Sequence, residues 1–300
     1  MSDPPPTPSP IIFDRALVRR HRRRAAGLGE ATFLLDRVAD DMADRLAAVL
    51  RRFDVAVDLG TTGEAVREAL ARLGSIGTII AVDTIPRRPP AVIADEEALP
   101  FGDGTLDLVV SALALQHVND LPGTLVQIRR ALKPDGLFVA ALFGGETLTE
   151  LRQSFATAES EIDGGVSPRV APFADLRDLG ALLQRAGFAL PVTDVDRVHV
   201  RYNSAFDLMA DLRRMGAANA MVARRRQPLR RAVLMRMAAI YGERFADTDG
   251  RVRATFEIVW LSGWAPHPGQ QQPLRPGSAK SRLADALGTR EVSTGEKAGK

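Results

Sequence analysis

The sequence predicts an α/β fold in which an open, mostly parallel sheet carries helices on both faces. Three observations predict it. Residues 106–110, LDLVV, are apolar on both faces, as a buried parallel strand requires. Residues 55–60 and 63–73 read as a strand, a glycine turn and a helix, the opening of a nucleotide-type α/β unit. Asp58 and Asp83 each end an apolar strand, twenty-five residues apart, about the length of a strand, loop, helix and return.

Taken in order, residues 1–10 are proline-rich and expected to be disordered. Residues 11–26 form a helix with Phe13, Leu17 and the basic run Arg19, Arg20, His21, Arg22, Arg23, Arg24. Such a run is ordinarily a solvated helix face; its functional readings are a membrane-surface patch or a clamp on an acidic partner. In 33–53, Leu34, Leu35, Val38, Met42, Leu46, Val49 and Leu50 recur at helical spacing, which completes an N-terminal helical segment over 11–53.

The α/β domain is expected over 54–265. Its first loop, after Asp58, lacks the G-x-G-x-x-G fingerprint. A carboxylate there repels a pyrophosphate, which prefers bare backbone N–H groups, and suits a cationic ligand group; the alternative is a cap on the next helix. Asp83 ends the second strand, 78–82, beside that loop, where an acid can accept from both hydroxyls of a ribose. Pro86, Pro89 and Pro90 preclude a long helix before the short strand 91–94. Asp95, which follows, reads equally as a turn former.

Asp107 begins the strand 106–110 and is expected to orient neighbouring backbone rather than meet ligand. Beyond that strand's carboxyl end lie Ser111 to Asn119, then a helix over 124–132. Strand 137–143 and the Gly144, Gly145 turn follow, then helices at 148–161 and 176–185 and an alternating strand at 192–202. Residues 206–245 form a helical insertion with methionine-rich stripes, expected to be mostly core while covering the substrate and exposing Arg224, Arg225 and Arg226. The last strand, 255–264, carries Trp260 and Trp264. Residues 266–300 should be largely unstructured, apart from a short helix at 281–287.

Composition narrows the function classes. At 45% hydrophobic and 26% charged residues, the chain is ordinary for a globular protein. It has no cysteine, hence no disulfide, thiolate metal site or cysteine nucleophile. The four histidines form no metal-binding pair, and no metal site is expected. The forty basic residues include only four lysines, a bias that suggests GC-rich coding, and no nucleic-acid-reading motif accompanies it. No apolar stretch reaches membrane-span length and the start lacks a signal-peptide apolar region, so a cytoplasmic or membrane-peripheral protein is expected.

An acidic residue, a short apolar corner and the D-L-V-V strand, in ADEEALPFGDGTLDLVV, resemble the class I S-adenosylmethionine (SAM) dependent methyltransferases. More narrowly, ADEEALPF, LDLVVSALALQHVNDLP, LKPDGLFVAALFGGETLTELR and RVAPFADLRDLGALLQRAGF resemble the methyltransferase-like assembly factors of respiratory complex I. The resemblance implies a Rossmann-like, seven-stranded, mostly parallel sheet with a helical lid insertion, and SAM as cofactor. It implies that Asp58, Gly60 and Thr61 meet the amino-acid end of SAM and Asp83 its ribose. Asp95 and Glu96 would meet the adenine, and Ser111 and Leu113 would pass under the methionine portion. Gln116, His117, Asn119 and Asp120 would lie near the transfer point, with His117 the candidate base or else a hydrogen-bonded surface histidine. The implied partner is a protein substrate, a complex I subunit, and the implied chemistry is methyl transfer, arginine hydroxylation or non-catalytic binding.

The loop departs from the family's D/E-x-G-x-G-x-G. Thr62 and Glu64 replace two glycines, and Glu64 is expected to repel the carboxylate of SAM, making binding weak, on the order of 10 to 100 μM.

Overall fold

A computed structural model describes residues 11–270 and 288–289. The segments expected to be disordered at 1–10 and the short helix at 281–287 lie outside the described residues. The chain divides into two units, 1–266 and 267–300. The first holds the sheet.

Seven strands form that sheet: β1 (Phe53–Leu59), β2 (Ile76–Asp83), β3 (Ala91–Ile93), β4 (Leu106–Ala112), β5 (Leu132–Phe143), β6 (Ala189–Tyr202) and β7 (Val252–Trp264). Their order is β3-β2-β1-β4-β5-β7-β6. Neighbours from β3 to β5 pair in parallel, while β7 runs antiparallel to both β5 and β6. The order reverses between β1 and β4, which leaves a crevice outside their carboxyl ends, the place where open α/β sheets bind ligands.

Among the described residues eight α-helices surround the sheet: α1 (Arg15–Leu28), α2 (Phe33–Ala47), α3 (Ala65–Ala71), α4 (Leu121–Ala131), α5 (Thr149–Asp163), α6 (Leu176–Arg185), α7 (Ala205–Arg214) and α8 (Arg231–Phe245). Val57, Leu59, Val109 and Phe138 pack with Leu125 and Ile128 of α4 and Leu183 of α6. Ala56, Leu108, Val110 and Val139 face Val38, Met42 and Leu46 of α2 and Val66 and Leu70 of α3. The both-sided apolar pattern of the central strands thus follows from helices on both faces.

The second helix stops at Ala47 instead of continuing to residue 53, because Phe53 already hydrogen-bonds into the sheet; Leu50, expected on the buried stripe, is fully exposed at 101%. The insertion 206–245 is core, as its methionine-rich stripes predict. Its helices supply Leu208, Val233, Met237, Ile240 and Tyr241, all 0% exposed, to a third core shared with Leu151 and Phe155 of α5 and Phe256 of β7. Of the three arginines expected to be exposed, Arg225 and Arg226 are, Arg225 while pairing with Asp163, whereas Arg224 is half-buried against Asp14.

Candidate functional site

The carboxyl ends of β1, β2 and β3 bring the sequence-nominated acids into one crevice. Asp58 and Asp83 are 3% and 1% exposed, Glu96 is 2%, and Asp95 is half-buried. In-register pairing of β1 with β2, and of Asp83 with Ile93 of β3, causes this convergence.

Asp58 is a buried acid with one oxygen, Oδ1, lacking any hydrogen-bond partner. Burial pushes its pKa up to about 7; Thr61, Arg67 and Arg87 counter that rise, while the nearby Asp83 charge adds to it. An orphaned carboxylate oxygen at a strand end calls for a cationic or donating ligand group. Gly60 follows with φ of 71°, open to glycine; a Cβ there would lie 2.6 Å from Oε1 of Glu96. Thr61 turns inward, its hydroxyl accepting from the Ala112 N–H at 3.0 Å. Ser111 donates to the Leu59 carbonyl at 2.7 Å. Thr61 and Ser111 therefore tie β1, its loop and β4 together, and what they offer a ligand is backbone. Leu113, just past β4, adopts φ of 50°, a left-handed conformation that costs a branched side chain about 1 kcal/mol.

The remaining acids are engaged by arginines. Oδ2 of Asp83 accepts from Nε and Nη2 of Arg87 at 2.9 and 2.5 Å, and Oδ1 accepts from the Ile85 N–H at 3.2 Å. Arg22 of α1, 7% exposed, lies 3.5 Å from Glu96 and 3.7 Å from Asp83. Arg15 binds Asp95 at 2.6 Å and also pairs with Glu96, while Arg19 reaches Asp95 at 3.5 Å. The basic run therefore has two faces. Arg19 and Arg22 meet the acids of the crevice, whereas Arg20, Arg23 and Arg24 are exposed.

Two cavities adjoin this crevice. The one on the loop side, about 60 Å³, is lined by Arg22, Thr62, Ala112, Leu113 and Gln116, among others. The other, about 220 Å³, is walled by Phe13, Phe143, Phe155, Phe173, Leu212 and Phe256, with Arg169 and Arg213 also on its lining. His117, Phe143 and Ala217 line both. The His117 ring stands edge-on to Phe13, with Nδ1 buried and without a partner. Burial, aided by the charges of Arg22 and Arg15, lowers its pKa to about 3. It is a neutral, weak base at the junction of the two cavities.

Three nominated neighbours have other tasks. Asp120 accepts from the Gly123 N–H and caps α4, which starts at Leu121 instead of the expected residue 124. Asn119 accepts from the Ile12 and Phe13 N–H groups at 2.9 and 2.8 Å and donates to the Phe13 carbonyl. Glu64, expected to repel a ligand carboxylate, is drawn away by Arg67 and by Arg88 at 3.7 Å. Sequence reasoning missed Arg15 and Arg22 as site residues. The available signal was their spacing: Arg15, Arg19 and Arg22 share one helical face in a chain whose strand-end acids had no assigned counter-charge.

Among the described residues no cluster of metal-ligating side chains occurs, and no helix is long and apolar enough to cross a membrane.

Residues 57–140 match the family described as a methyltransferase domain. The arginine-hydroxylase NDUFAF5, mitochondrial, of Danio rerio is 40% identical over 286 residues, covering 91% of this chain and 89% of that one. A malonyl-[acyl-carrier protein] O-methyltransferase of Halorhodospira halophila is 37% identical over 267 residues, covering 84% and 88%. In fold, the chain resembles the crystal structure of a protein from Bacillus halodurans C-125 assigned as a methyltransferase, with a TM-score of 0.52 at 16% identity, over 76% of this chain and 99% of that one. The strand order, the acids that end β1 and β2, and likeness over nearly the full length of the zebrafish protein lead to one assignment: the chain belongs to the NDUFAF5 family of class I methyltransferase-fold proteins.

Proposed function

We propose that this protein binds SAM across the carboxyl ends of β1 to β4 and uses it to modify a protein acceptor in respiratory complex I assembly, by methyl transfer. The observation that carries the reading is the unpartnered, buried Asp58 carboxylate oxygen beside Gly60, in line with acids at the ends of β2 and β3. The pattern suits a ligand with a cationic amino-acid end, a ribose and an adenine amino group, and no phosphate. When bound, SAM supplies an electrophilic methyl group.

The chain's own residues position the reactants. Asp58 holds the ammonium and the backbone from Gly60 to Thr62 follows the amino-acid end. The aromatic cavity beyond His117 and Phe143 receives the acceptor and excludes water. Catalysis by such a site is mostly orientation, consistent with a weakly basic His117 as its shared titratable side chain. The acceptor cavity is lined by Arg169 and Arg213 and, among the described residues, by no carboxylate, which favours a neutral or anionic acceptor over a guanidinium.

A second reading, hydroxylation of an arginine, is favoured by the name of the 40% identical relative and by the affinity of Asp83, Asp95 and Glu96 for guanidinium groups of this chain. Incubating the purified protein in air with methyl-labelled SAM, an added electron donor and candidate complex I subunits separates the two, since hydroxylation needs dioxygen and two electrons that SAM does not supply. Transfer of label to a subunit supports methyl transfer. A mass gain of one oxygen atom without label supports hydroxylation, and stable binding with neither change supports a scaffold. The exposed Arg20, Arg23 and Arg24 are the residues on which peripheral attachment to an anionic membrane face would rest, and vesicle co-sedimentation tests it.

A further inference from the structure

The acids expected to hold the adenosine half of SAM are bound by guanidinium groups from the chain's own N-terminal helix. Arg15 joins Asp95 and Glu96, and Arg22 lies between Glu96 and Asp83. These are not loose surface pairs, since the side chains of Arg22, Asp83 and Glu96 are 7%, 1% and 3% exposed. A ribose on Asp83 would have to share that carboxylate with Arg87, which already holds Oδ2, and with Arg22 at 3.7 Å, while an adenine amino group on Asp95 would meet Arg15 on Oδ1 and Arg19 at 3.5 Å from Oδ2. The ligand and the guanidinium groups of α1 therefore compete for the same carboxylates.

The segment that supplies these arginines is also held by the buried Phe13, Val18 and Ala25, by the Arg224–Asp14 ion pair, by the Val222 N–H on the Ile12 carbonyl and by Arg15 on the His117 carbonyl, and further contacts fix its two ends. Asn119 grips the backbone of Ile12 and Phe13, and the Asp14 N–H donates to the Ala220 carbonyl at 2.8 Å. His21 Nδ1 lies 3.1 Å from the Ala218 carbonyl, and Gly216 brings α7's end close against Arg22. One face of α1 thus covers the crevice. The preceding Phe13 walls the larger cavity, and Arg22 lines the smaller one.

We propose that residues 11–28 are a lid latched by Arg15 and Arg22, that SAM displaces this latch by taking over Asp83 and Asp95, and that the same movement uncovers the acceptor cavity behind Phe13. The proposal rests on the SAM reading of the site. It makes the two arginines competitors of the cofactor rather than its ligands, and it couples acceptor entry to cofactor binding through a single segment.

Trypsin reads the latch directly, because its cleavage sites Arg19 to Arg24 lie within the lid and Arg20, Arg23 and Arg24 are exposed, while cleavage requires the helix to open locally. With the full chain, S-adenosylhomocysteine as probe is expected to speed nicking within 19–24 several-fold; unchanged or slower nicking overturns the proposal. The Arg15→Gln/Arg22→Gln double variant is expected to be nicked rapidly without the probe and to bind it about tenfold more tightly by calorimetry. Weaker binding by a folded variant would show that the arginines hold the cofactor, and overturns the proposal. The Arg15→Gln single variant repeats both measurements should the double variant misfold, and the wild-type arm needs no variant. If the wild-type protein binds no probe at all, the SAM reading falls, and the latch is then judged by variant nicking alone: faster than wild type supports it, unchanged overturns it.

Discussion

The Asp107 carboxylate accepts a hydrogen bond from the Val55 backbone N–H at 2.9 Å and pairs with Lys133 at 2.8 Å. It fastens the amino end of β4 to β1, at the opposite end of the sheet from Asp83. Asp83→Ala is therefore expected to weaken SAM binding by about 1.5 to 3 kcal/mol, the loss of charge-assisted ribose contacts. Asp107→Ala should leave the affinity unchanged while lowering stability by about 1 to 3 kcal/mol. Calorimetry and denaturant unfolding on both variants check this, and equal SAM affinities would contradict the placement of the ribose.

Asp58, with its pKa pushed up to about 7, must ionise to hold an ammonium group. An α-amino group loses its proton near pH 7.7 to 8.0. SAM affinity should therefore peak between about pH 7 and 8, with the acid limb set by Asp58. Asp58→Asn should flatten that limb and weaken binding at the peak. A titration of affinity from pH 5.5 to about 9 checks it.

His117 contributes the opposite sign to stability. Its folded pKa, lowered to about 3, lies below the ordinary histidine value, so the unfolded chain binds more protons between these limits. Its contribution is complete above about pH 6.5 and declines as pH falls toward 3. Asp58 does the reverse: its contribution is complete below about pH 4 and is lost as pH rises through about 7. In wild type the two slopes oppose each other between about pH 4 and 6.5. Replacing His117 with Phe should unmask the Asp58 slope, so that the variant gains stability relative to wild type as the pH is lowered across that range. Urea unfolding at several pH values measures the difference.

Much of this architecture was legible in the sequence because buried parallel strands leave a plain signal. LDLVV and the acid-ended strands at Asp58 and Asp83 read directly as sheet and crevice. The basic run did not read as part of the site, since helical spacing tells which residues share a face but not which distant acids that face meets. Asn119 and Asp120 were misplaced for a related reason: a capping residue and a backbone clamp carry the same side chains as a transfer-point donor. Leu50 fitted the helical period, yet the helix ends before it, where the chain turns into β1.

The Glu64 side chain pairs with Arg67, which itself donates to the Pro90 carbonyl at 3.3 Å. Glu64→Gly should accordingly leave SAM binding no tighter than wild type and destabilise the start of α3, whereas Thr62→Gly, on the cavity lining, is the change that can admit the ligand more closely. Binding isotherms of the two single variants separate these effects.

The third core makes a further demand on the insertion. Met237→Ala is expected to cost about 2 to 5 kcal/mol of stability without changing SAM affinity at temperatures where the protein is folded, because Met237 is wholly buried away from the acids. Thermal or denaturant unfolding checks the first part and calorimetry the second.

Equilibrium binding of SAM to the wild-type protein and to Asp58→Asn, side by side at about pH 7.5, tests the central claim most directly. One site per chain with a dissociation constant on the order of 10 to 100 μM, weakened about tenfold or more in the variant, is the predicted result. A wild-type protein that binds no SAM, or a variant that binds it equally well, would contradict the assignment of the β1 to β3 acids as a cofactor site.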